Sequence, residues 1–307
     1  MSMNSTKQLK SKGRDFPSLQ NAVVDLHRIR IAGRKSLHKI LASHPGQKCL
    51  VLDPQLADPL NLITCGPAIF KAGGVRKLKL LAWERFDPTI SLNTVIFICR
   101  PQPELVKQIA HQMRSIIGQG LQRGKTFAVY FVPAPTFICT QILREWHVFE
   151  DFAVIGSMDV DLIPIDEDIL SLELPSSFKD CFLAKNKSVL VEVARSIMKL
   201  QELYGCISVL QSKGARSSAV VDMLLKMKAE QDAQGKVLGN GRMPLIDTCL
   251  ILDRDIDLMT PLLSPLTYEA LIDEFMGINQ GMLKVGLCAT FMSRMSHLYS
   301  LPHSNEG

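Results

Sequence analysis

The sequence predicts an α/β fold, with an open, mostly parallel sheet flanked by helices, followed by a second α/β region that has long helices. Three observations support this prediction. Short apolar runs in the first half end at a proline or a polar break, helix-like segments separate them, and longer helix-like segments appear after about residue 150. Strands that alternate with helices form parallel sheets with right-handed crossovers.

The apolar runs of the first half are typical of strands that are buried on both faces of a parallel sheet. Each keeps near-continuous hydrophobicity over about five to seven residues, as such strands do. The four runs are KCLVLDP (48–54), KLKLLAW (77–83), TVIFICRP (94–101) and TFAVYFVP (126–133).

Helix-like segments lie before and between these runs. An amphipathic helix is predicted over about residues 18–31, with apolar residues on one stripe. The segment PELVKQIAHQMRSIIGQG (103–120) has apolar residues at helical spacing and ends on glycines. The segment PTFICTQILREWHVF (135–149) carries a proline near its first turn, a position that proline favours.

The second half predicts a different arrangement. Acidic and apolar residues alternate in SMDVDLIPIDEDILSLEL (157–174), as in a half-exposed strand. Two long helices are predicted over 187–205 and 217–235, each ending at a glycine, and the strand LIDTCLILD (245–253) follows. A domain boundary is therefore expected between residues 150 and 160.

The acidic residues of the alternating segment raise the alternative of a metal cluster. Strand alternation explains the first two of them without a metal, and it is the favoured interpretation. The acids concerned are Asp159, Asp161, Asp166, Glu167 and Asp168. Elsewhere the eight cysteines form no CxxC pair and the seven histidines form no HExxH pattern, so no metal and no cofactor is predicted.

Positive charge is concentrated at the start of the chain. Residues 1–50 carry ten Lys or Arg against two Asp, a balance of +8, so the remaining residues sum to −3 of the net +5. Such a face could steer the protein to acidic lipid headgroups or to an acidic partner, although a solvated helix face is the favoured interpretation. Basic residues interleaved with aromatic ones are missing, and nucleic acid is not expected as a partner.

The stretch CLILDRDIDLMTP (249–261) raises the one enzymatic alternative. Haloacid-dehalogenase-type phosphohydrolases place D-x-D-x-T after an apolar strand, which would make Asp253 the nucleophile and Asp255 the acid–base residue. Here Asp257 occupies the Thr position, and its charge would repel a docking phosphate. A structural role for these acids is favoured, with no catalytic residue.

In structural terms, this stretch and the residues that follow it are predicted to form a buried strand, a charged turn and an amphipathic helix. Arg254 is expected to pair with one of the aspartates around it. Asp257 or Thr260 could accept hydrogen bonds from exposed helix N–H groups, with Pro261 at an early helical position. The helix would pack an apolar stripe against the core, formed by Tyr268, Leu271, Ile272 and Phe275.

This stretch, LILDRDIDLMTPLLSPLTYEALIDE (250–274), resembles the signature of the Sec/Munc (SM) family of membrane-fusion regulators, and most of all its branch called vacuolar protein-sorting-associated protein thirty-three. Weaker likenesses lie upstream at 49–64, 95–110 and 129–143, so that the resemblance covers about residues 15–281. The signature residues, to which a structural role is assigned, are Asp253, Arg254, Asp257, Thr260, Pro261, Tyr268, Glu269 and Asp273.

The resemblance implies a binding protein that is not an enzyme. Its expected partners are SNARE proteins, both syntaxin-like proteins and SNARE bundles, whose assembly it would regulate. Further expected partners are vacuolar protein-sorting-associated protein sixteen and other subunits of the HOPS and CORVET tethering complexes. The implied location is cytoplasmic, peripheral on late endosome and vacuole or lysosome membranes through these partners.

The resemblance also implies a domain plan. Residues 1–152 correspond to an N-terminal α/β domain, and residues 153–278 to the first half of a second α/β domain that is partial here. Residues 279–307 form a divergent tail in place of the family's helical third domain. This tail is interpreted as a sign of a truncated or alternatively spliced product, or of a gene-model error.

Overall fold

The computed structural model describes residues 24–83, 92–121, 124–166, 168–279 and 282–283. Five strands of the first half form one parallel sheet in the order β2-β1-β3-β4-β5. The predicted α/β class with a mostly parallel sheet is confirmed. The strands are β1 (Lys48–Leu52), β2 (Val75–Leu80), β3 (Thr94–Cys99), β4 (Thr126–Phe131) and β5 (Phe152–Ser157).

Helices cover both faces of this sheet. Successive strand residues point to opposite faces, so Cys49 and Val51 join one apolar core while Leu50 and Leu52 join the other. The helices of this part, as far as the structure describes it, are α1 (His27–Ser43), α2 (Pro54–Thr64), α3 (Ala68–Ala72), α4 (Pro103–Gly118) and α5 (Phe137–Glu145). The first core contains side chains from α4 and α5, and the second contains side chains from α1 and α2.

The second strand departs from the prediction of burial on both faces. Strand β2 lies at the edge of the sheet and pairs only with β1 among the described residues. Leu78 and Leu80 are therefore about half exposed, at 48% and 54%. Apolar composition alone does not distinguish an edge strand from a central one.

Two further elements differ from their predicted limits. Helix α1 begins at His27 and continues to Ser43, and the start of the predicted 18–31 helix lies outside the described residues. Residues 158–162 form no strand, so strand alternation does not explain Asp159 and Asp161. After Ser157, the last residue of β5, the strand structure among the described residues of the alternating segment is a two-residue antiparallel ladder between β6 (Ile163–Pro164) and β7 (Leu170–Ser171). Glu167 lies outside the described residues.

The later part of the chain builds a small parallel pair with two long helices. Strands β8 (Val209–Lys213) and β9 (Thr248–Leu252) pair in parallel. Helices α6 (Ser188–Tyr204) and α7 (Ala215–Ala233) share an apolar cluster that includes Leu190, Ala194, Met198, Val220 and Leu224. A single turn of π-helix, Lys179–Leu183, precedes α6.

The chain forms two compact units that divide between Ile256 and Asp257. The second unit contains α8 (Tyr268–Met276) and a short hairpin of β10 (Ile278–Asn279) and β11 (Met282–Leu283). The limits predicted at 152/153 and 278/279 stay predictions. Helix α8 has no buried residue, and Tyr268 is 77% exposed. The packing of its apolar stripe against the core stays a prediction.

None of the helices in the described ranges has both the length and the apolar character needed to cross a membrane.

Tyr204, at the end of α6, connects the two halves of the first unit. Its side chain is 1% exposed, and its hydroxyl donates a hydrogen bond of 2.7 Å to the carbonyl of Asp25, just before α1. Burial, followed by the nearby Asp25 carboxylate, raises the pKa of Tyr204 to about 12. The phenol therefore stays protonated and keeps donating.

We expect Tyr204→Phe to lower the free energy of unfolding by about 1 kcal/mol, because a partly buried hydrogen bond to the carbonyl of Asp25 is lost. Urea denaturation measures the change. The exposed Tyr268→Phe is the matched control, with an expected change below about 0.5 kcal/mol. Equal effects of the two substitutions would contradict the importance of this hydrogen bond.

Candidate functional site

The predicted acidic site forms where β9 ends and α7 begins. Because β8 and β9 run in parallel, their carboxyl ends lie side by side, and the backbone N–H of Asp253 donates to the carbonyl of Lys213 at 3.0 Å. Gly214 follows Lys213, and α7 begins one residue later. Asp253 therefore stands in front of the N-terminus of a helix that lies 38 residues earlier in the chain.

The carboxylate of Asp253 caps this helix. One oxygen accepts from the backbone N–H of Ser217 at 2.6 Å and from its hydroxyl, and the other accepts from the N–H of Arg216 at 3.0 Å. The first N–H groups of a helix have no partner within it, and the helix dipole favours a negative charge there. Asp253 supplies both the acceptors and the charge.

The pKa of Asp253 reflects this cap. Burial by itself would raise the pKa, since the residue is only 9% exposed. The hydrogen bonds from the Ser217 hydroxyl and from the two N–H groups, together with the charge of Arg216, outweigh burial and hold the pKa below its usual value. The carboxylate thus stays ionised at neutral pH.

Gly214 makes the close approach possible. Its φ is +118°, a left-handed conformation that glycine adopts without strain. A Cβ at this position would collide with the side chain of Asp253. Any other residue at 214 would therefore both strain the backbone and push the capping carboxylate away.

Arg216 provides the basic partner of the cluster. Its guanidinium lies 2.8 Å from a carboxylate oxygen of Asp255 and 3.7 Å from one of Asp253, and it also stacks over the ring of Phe182 at 5.3 Å. Arg254, expected to fill this role, is exposed and makes no ion pair within the part of the chain that the structure describes. The prediction that Arg254 pairs with one of the aspartates is therefore wrong for this structure, in which Arg216 takes that role.

These positions give the two arginines different expected effects on stability. Arg216→Ala should lower the free energy of unfolding by about 1 kcal/mol, because a partly exposed ion pair and a ring contact disappear. Arg254→Ala should change it by less than about 0.5 kcal/mol. Chemical denaturation of both variants tests the assignment, and a larger loss for Arg254→Ala would reverse it.

The signature residues from Asp257 onward belong to the second unit, and Asp257 and Thr260 contact each other there. Asp257 accepts hydrogen bonds of 3.0 Å from the N–H groups of Met259 and Thr260, and the Thr260 hydroxyl donates to it as well. Pro261 lies in the short 3-10 turn Thr260–Leu262 that follows. Of the two predicted acceptors, the structure uses Asp257.

The remaining signature residues lie on α8. Tyr268 is its first residue and Glu269 lies in its first turn, where a carboxylate complements the helix dipole. Asp273 accepts a hydrogen bond of 2.7 Å from the N–H of Ile278 and so connects the helix to the hairpin that follows. The structure thus divides the signature between two units and does not gather it into one site.

The geometry of the corner disfavours nucleophilic chemistry at Asp253. A nucleophilic carboxylate needs an oxygen aimed at the substrate, whereas both oxygens of Asp253 already accept hydrogen bonds from the protein. Asp255, the second residue of the phosphohydrolase alternative, is bound by Arg216. Within the described ranges, His, Cys, Asp and Glu side chains form no group of three or more that could hold a metal ion.

Sequence reasoning missed Gly214, Arg216 and Ser217, which complete the corner. A local signal was present in SKGARSS (212–218), where a glycine separates a strand from a helix. Nothing local, however, connects this segment with Asp253, because the two meet only through strand pairing.

A second corner of the same kind lies at the carboxyl edge of the larger sheet. Asp53 follows β1, is 1% exposed, and caps α2 by accepting from the N–H of Gln55 at 2.9 Å. Its carboxylate also accepts from Arg100, which follows β3, at 2.7 Å from the guanidinium Nε. A buried ion pair therefore joins the ends of two adjacent strands at the point where the strand order reverses.

Comparison with known proteins identifies the family of the chain that carries these two corners. A model of the Sec1 family matches residues 48–298. The chain belongs to the Sec1 family. This is the family whose signature the corner at Asp253 resembles, and the predicted resemblance is confirmed.

Relatives and solved structures in the Sec1 family agree with this assignment. Vacuolar protein sorting-associated protein 33A of Rattus norvegicus is 36% identical over 85% of this chain, and the Vacuolar protein-sorting-associated protein 33 homolog of Arabidopsis thaliana is 34% identical over 88%. The chain spans 42% and 44% of these relatives, less than half of their length. The solved SM protein Vps45 in complex with the Qa SNARE Tlg2 shares the fold, with a TM-score of 0.59 and 17% identity over 84% of this chain and 44% of that one.

Proposed function

We propose that this chain binds SNARE proteins and regulates their assembly in vesicle tethering and fusion at endosomes and at the vacuole or lysosome. The match to the Sec1 family over residues 48–298 carries the proposal. The rat and Arabidopsis relatives are vacuolar sorting proteins by name, and the solved Vps45 is bound to a Qa SNARE. By analogy, we propose a SNARE protein as a partner of the present chain.

The proposed activity is binding and not catalysis. Two acids suggested a phosphohydrolase: helix N–H groups bind Asp253, and the guanidinium of Arg216 binds Asp255. These interactions stabilise the fold. The corners at Asp53 and Asp253 both keep the carboxyl ends of parallel strands in place. A rigid α/β scaffold of this kind suits the presentation of a surface to a partner.

We further propose the cellular setting and the domain plan that the family suggests. The chain would act as a HOPS or CORVET subunit, dock on vacuolar protein-sorting-associated protein sixteen, and reach late endosome and vacuole or lysosome membranes through its partners. Residues 1–152 would form one domain, 153–278 the first part of a second one, and 279–307 a separate tail. Co-precipitation with vacuolar protein-sorting-associated protein sixteen tests the proposed docking. Limited proteolysis tests the proposed domain limits.

SNARE binding is tested by pull-down of the 307-residue chain with the cytosolic part of a Qa SNARE and with assembled endolysosomal SNARE bundles. We expect enrichment over a SNARE segment of the same composition in scrambled order. Arg254→Ala, which should fold normally, serves as a handling control. Equal recovery of native and scrambled segments by a folded chain would refute the proposal.

The absence of catalysis has a separate test. With a generic aryl phosphate and Mg²⁺, turnover by the purified chain should not depend on Asp253. Turnover that disappears in Asp253→Asn, while the variant remains folded, would establish the phosphohydrolase alternative instead.

A further inference from the structure

The charged side chains of helix α1 all have the same sign. The helix contains five Lys or Arg and neither Asp nor Glu, a balance of +5. The long helices α6 and α7 each hold as many acidic as basic residues, so their charges cancel. Surfaces that are only solvated usually mix both signs in this way. Solubility therefore does not explain the charge of α1.

Much of this charge lies on the side of α1 that faces away from the core. The buried side of the helix is formed by Ile29, Gly33, Leu37, Ile40 and Leu41. On the opposite side, Arg28, Ile31, Lys35 and Lys39 follow one another at spacings of three or four residues, which places them on one face of a helix. All four are exposed. They form a stripe roughly 16 Å long, which we call the α1 basic face.

The cations of the α1 basic face are not neutralised by the protein. Neither Lys35 nor Lys39 forms an ion pair with any residue that the structure describes. The guanidinium of Arg28 lies 5.9 Å from the centre of the Tyr204 ring, a contact that leaves its charge in place. The face therefore presents three positive charges to its surroundings.

Two acids that lie next to α1 already have partners. Asp25 comes just before the helix, and its carboxylate accepts a hydrogen bond of 2.8 Å from the N–H of His27. Asp159 donates its N–H to the hydroxyl of Ser36 at 3.1 Å, and its carboxylate lies 2.6 Å from the Nζ of Lys199. Residues 24–80 as a whole hold ten Lys or Arg against three Asp, a balance of +7. The electrostatic field around the α1 basic face is therefore positive.

A face of this composition suits an anionic lipid surface better than a protein partner. Specific protein interfaces depend on a few large anchors in well-packed pockets, and Lys is depleted from them. The α1 basic face contains two lysines, and its one large apolar side chain, Ile31, is only 38% exposed. Helix α1 has no Phe, Tyr or Trp. Attraction to anionic headgroups needs no anchor, because each Lys or Arg near such a surface strengthens binding about fivefold.

We propose that the α1 basic face lies directly against the anionic headgroups of a lipid bilayer. The contact is electrostatic, with Arg28, Lys35 and Lys39 at the headgroups and no apolar stripe that would insert between the lipids. Such a contact is weak and reversible, and it adds to any attachment that partner proteins provide. It does not depend on SNARE binding.

The test measures co-sedimentation of the 307-residue chain with phosphatidylcholine vesicles that contain about 30% phosphatidylserine. We expect saturable binding to these vesicles in 0.1 M salt, and at least tenfold weaker binding to vesicles of pure phosphatidylcholine. Binding to the anionic vesicles should fall at least tenfold in 1 M salt, because the Debye length shrinks from about 10 Å to about 3 Å. This readout needs no variant.

A pair of double variants locates the contact on the chain. Lys35→Glu with Lys39→Glu should weaken binding to the anionic vesicles at least tenfold. Lys226→Glu with Lys236→Glu is the matched control, because it changes the net charge equally at two exposed positions on α7 and just after it. The control should change binding less than threefold. Circular dichroism verifies that both variants are folded.

Several results would overturn the proposal and leave a solvated helix face. These are absence of binding to the anionic vesicles, equal binding to pure phosphatidylcholine, binding that salt does not weaken, and equal affinities of the two double variants. Polyglutamate tests the other class of partner. If it bound the chain through Lys35 and Lys39 while the anionic vesicles did not bind, an acidic polypeptide would replace the lipid surface as the ligand.

Discussion

Replacing Asp53 with Ala should lower the free energy of unfolding by about 3–5 kcal/mol, which is the typical loss when one member of a buried ion pair is removed. Asp53 is 1% exposed, and the guanidinium of Arg100, 2.7 Å away, is nearly as well buried. The substitution leaves the charge of Arg100 buried without a partner and also removes the cap of α2. Urea denaturation followed by circular dichroism measures the change.

The exposed pair of Glu104 and Lys107 provides the control for the Asp53 variant. Its charged atoms are 2.8 Å apart, but the two side chains are 69% and 40% exposed. Glu104→Ala should therefore cost less than about 1 kcal/mol, because solvent screens the pair. If Asp53→Ala and Glu104→Ala lowered the free energy of unfolding equally, burial of the Asp53–Arg100 pair would not explain the loss.

The second large effect is expected for Asp253→Ala, with a loss of about 2–3 kcal/mol at pH 7. The variant removes an N-terminal cap and hydrogen bonds to a charged acceptor, and it leaves the N–H groups of Arg216 and Ser217 without that partner. Asp222→Ala, at an exposed position on the same helix, is the control and should stay within about 0.5 kcal/mol.

The contribution of Asp253 also depends on pH in a known direction. Its folded-state pKa is below its usual value, so the stabilisation is fully present above the unfolded-state pKa of about 4. It is lost as pH falls through the folded-state pKa, because the native state then has to bind a proton. The difference between wild type and Asp253→Ala should accordingly shrink below about pH 4. A difference that grew at acidic pH would contradict the capping role.

Gly214→Ala probes the same corner from the other strand. The added Cβ would displace the Asp253 carboxylate and would strain the backbone at φ +118°. We expect its effect and that of Asp253→Ala to be less than additive, since both disturb one contact. Full additivity in the double variant would show that the glycine acts only through its own backbone.

Much of the larger sheet could be predicted because its signal is local. Strands β1, β3 and β4 are buried on both faces, and burial on both faces leaves near-continuous apolar runs. Strand β5 was missed because only one of its residues is buried, so FAVIGS has no comparable pattern. The edge position of β2 was missed because the sequence of a strand does not show which strands lie beside it in the sheet.

The structural role of the acidic corner was also expected, but its partners were not. Arg254 is adjacent to Asp253 in sequence and was the natural choice for the ion pair. The actual partner, Arg216, is 37 residues away in the chain. Only the parallel pairing of β8 with β9 places the start of α7 in front of Asp253.

The sequence by itself determined the α/β class, the buried strands and the family, because apolar periodicity and a long signature are properties of contiguous residues. Only the tertiary structure decided which helix Asp253 caps, which strand lies at the edge, and that the buried Oδ1 of Asp161 has no hydrogen-bond partner among the described residues. The physical reason is that hydrogen bonds, ion pairs and desolvation depend on distance in space. Parallel sheets bring together residues that are far apart in sequence.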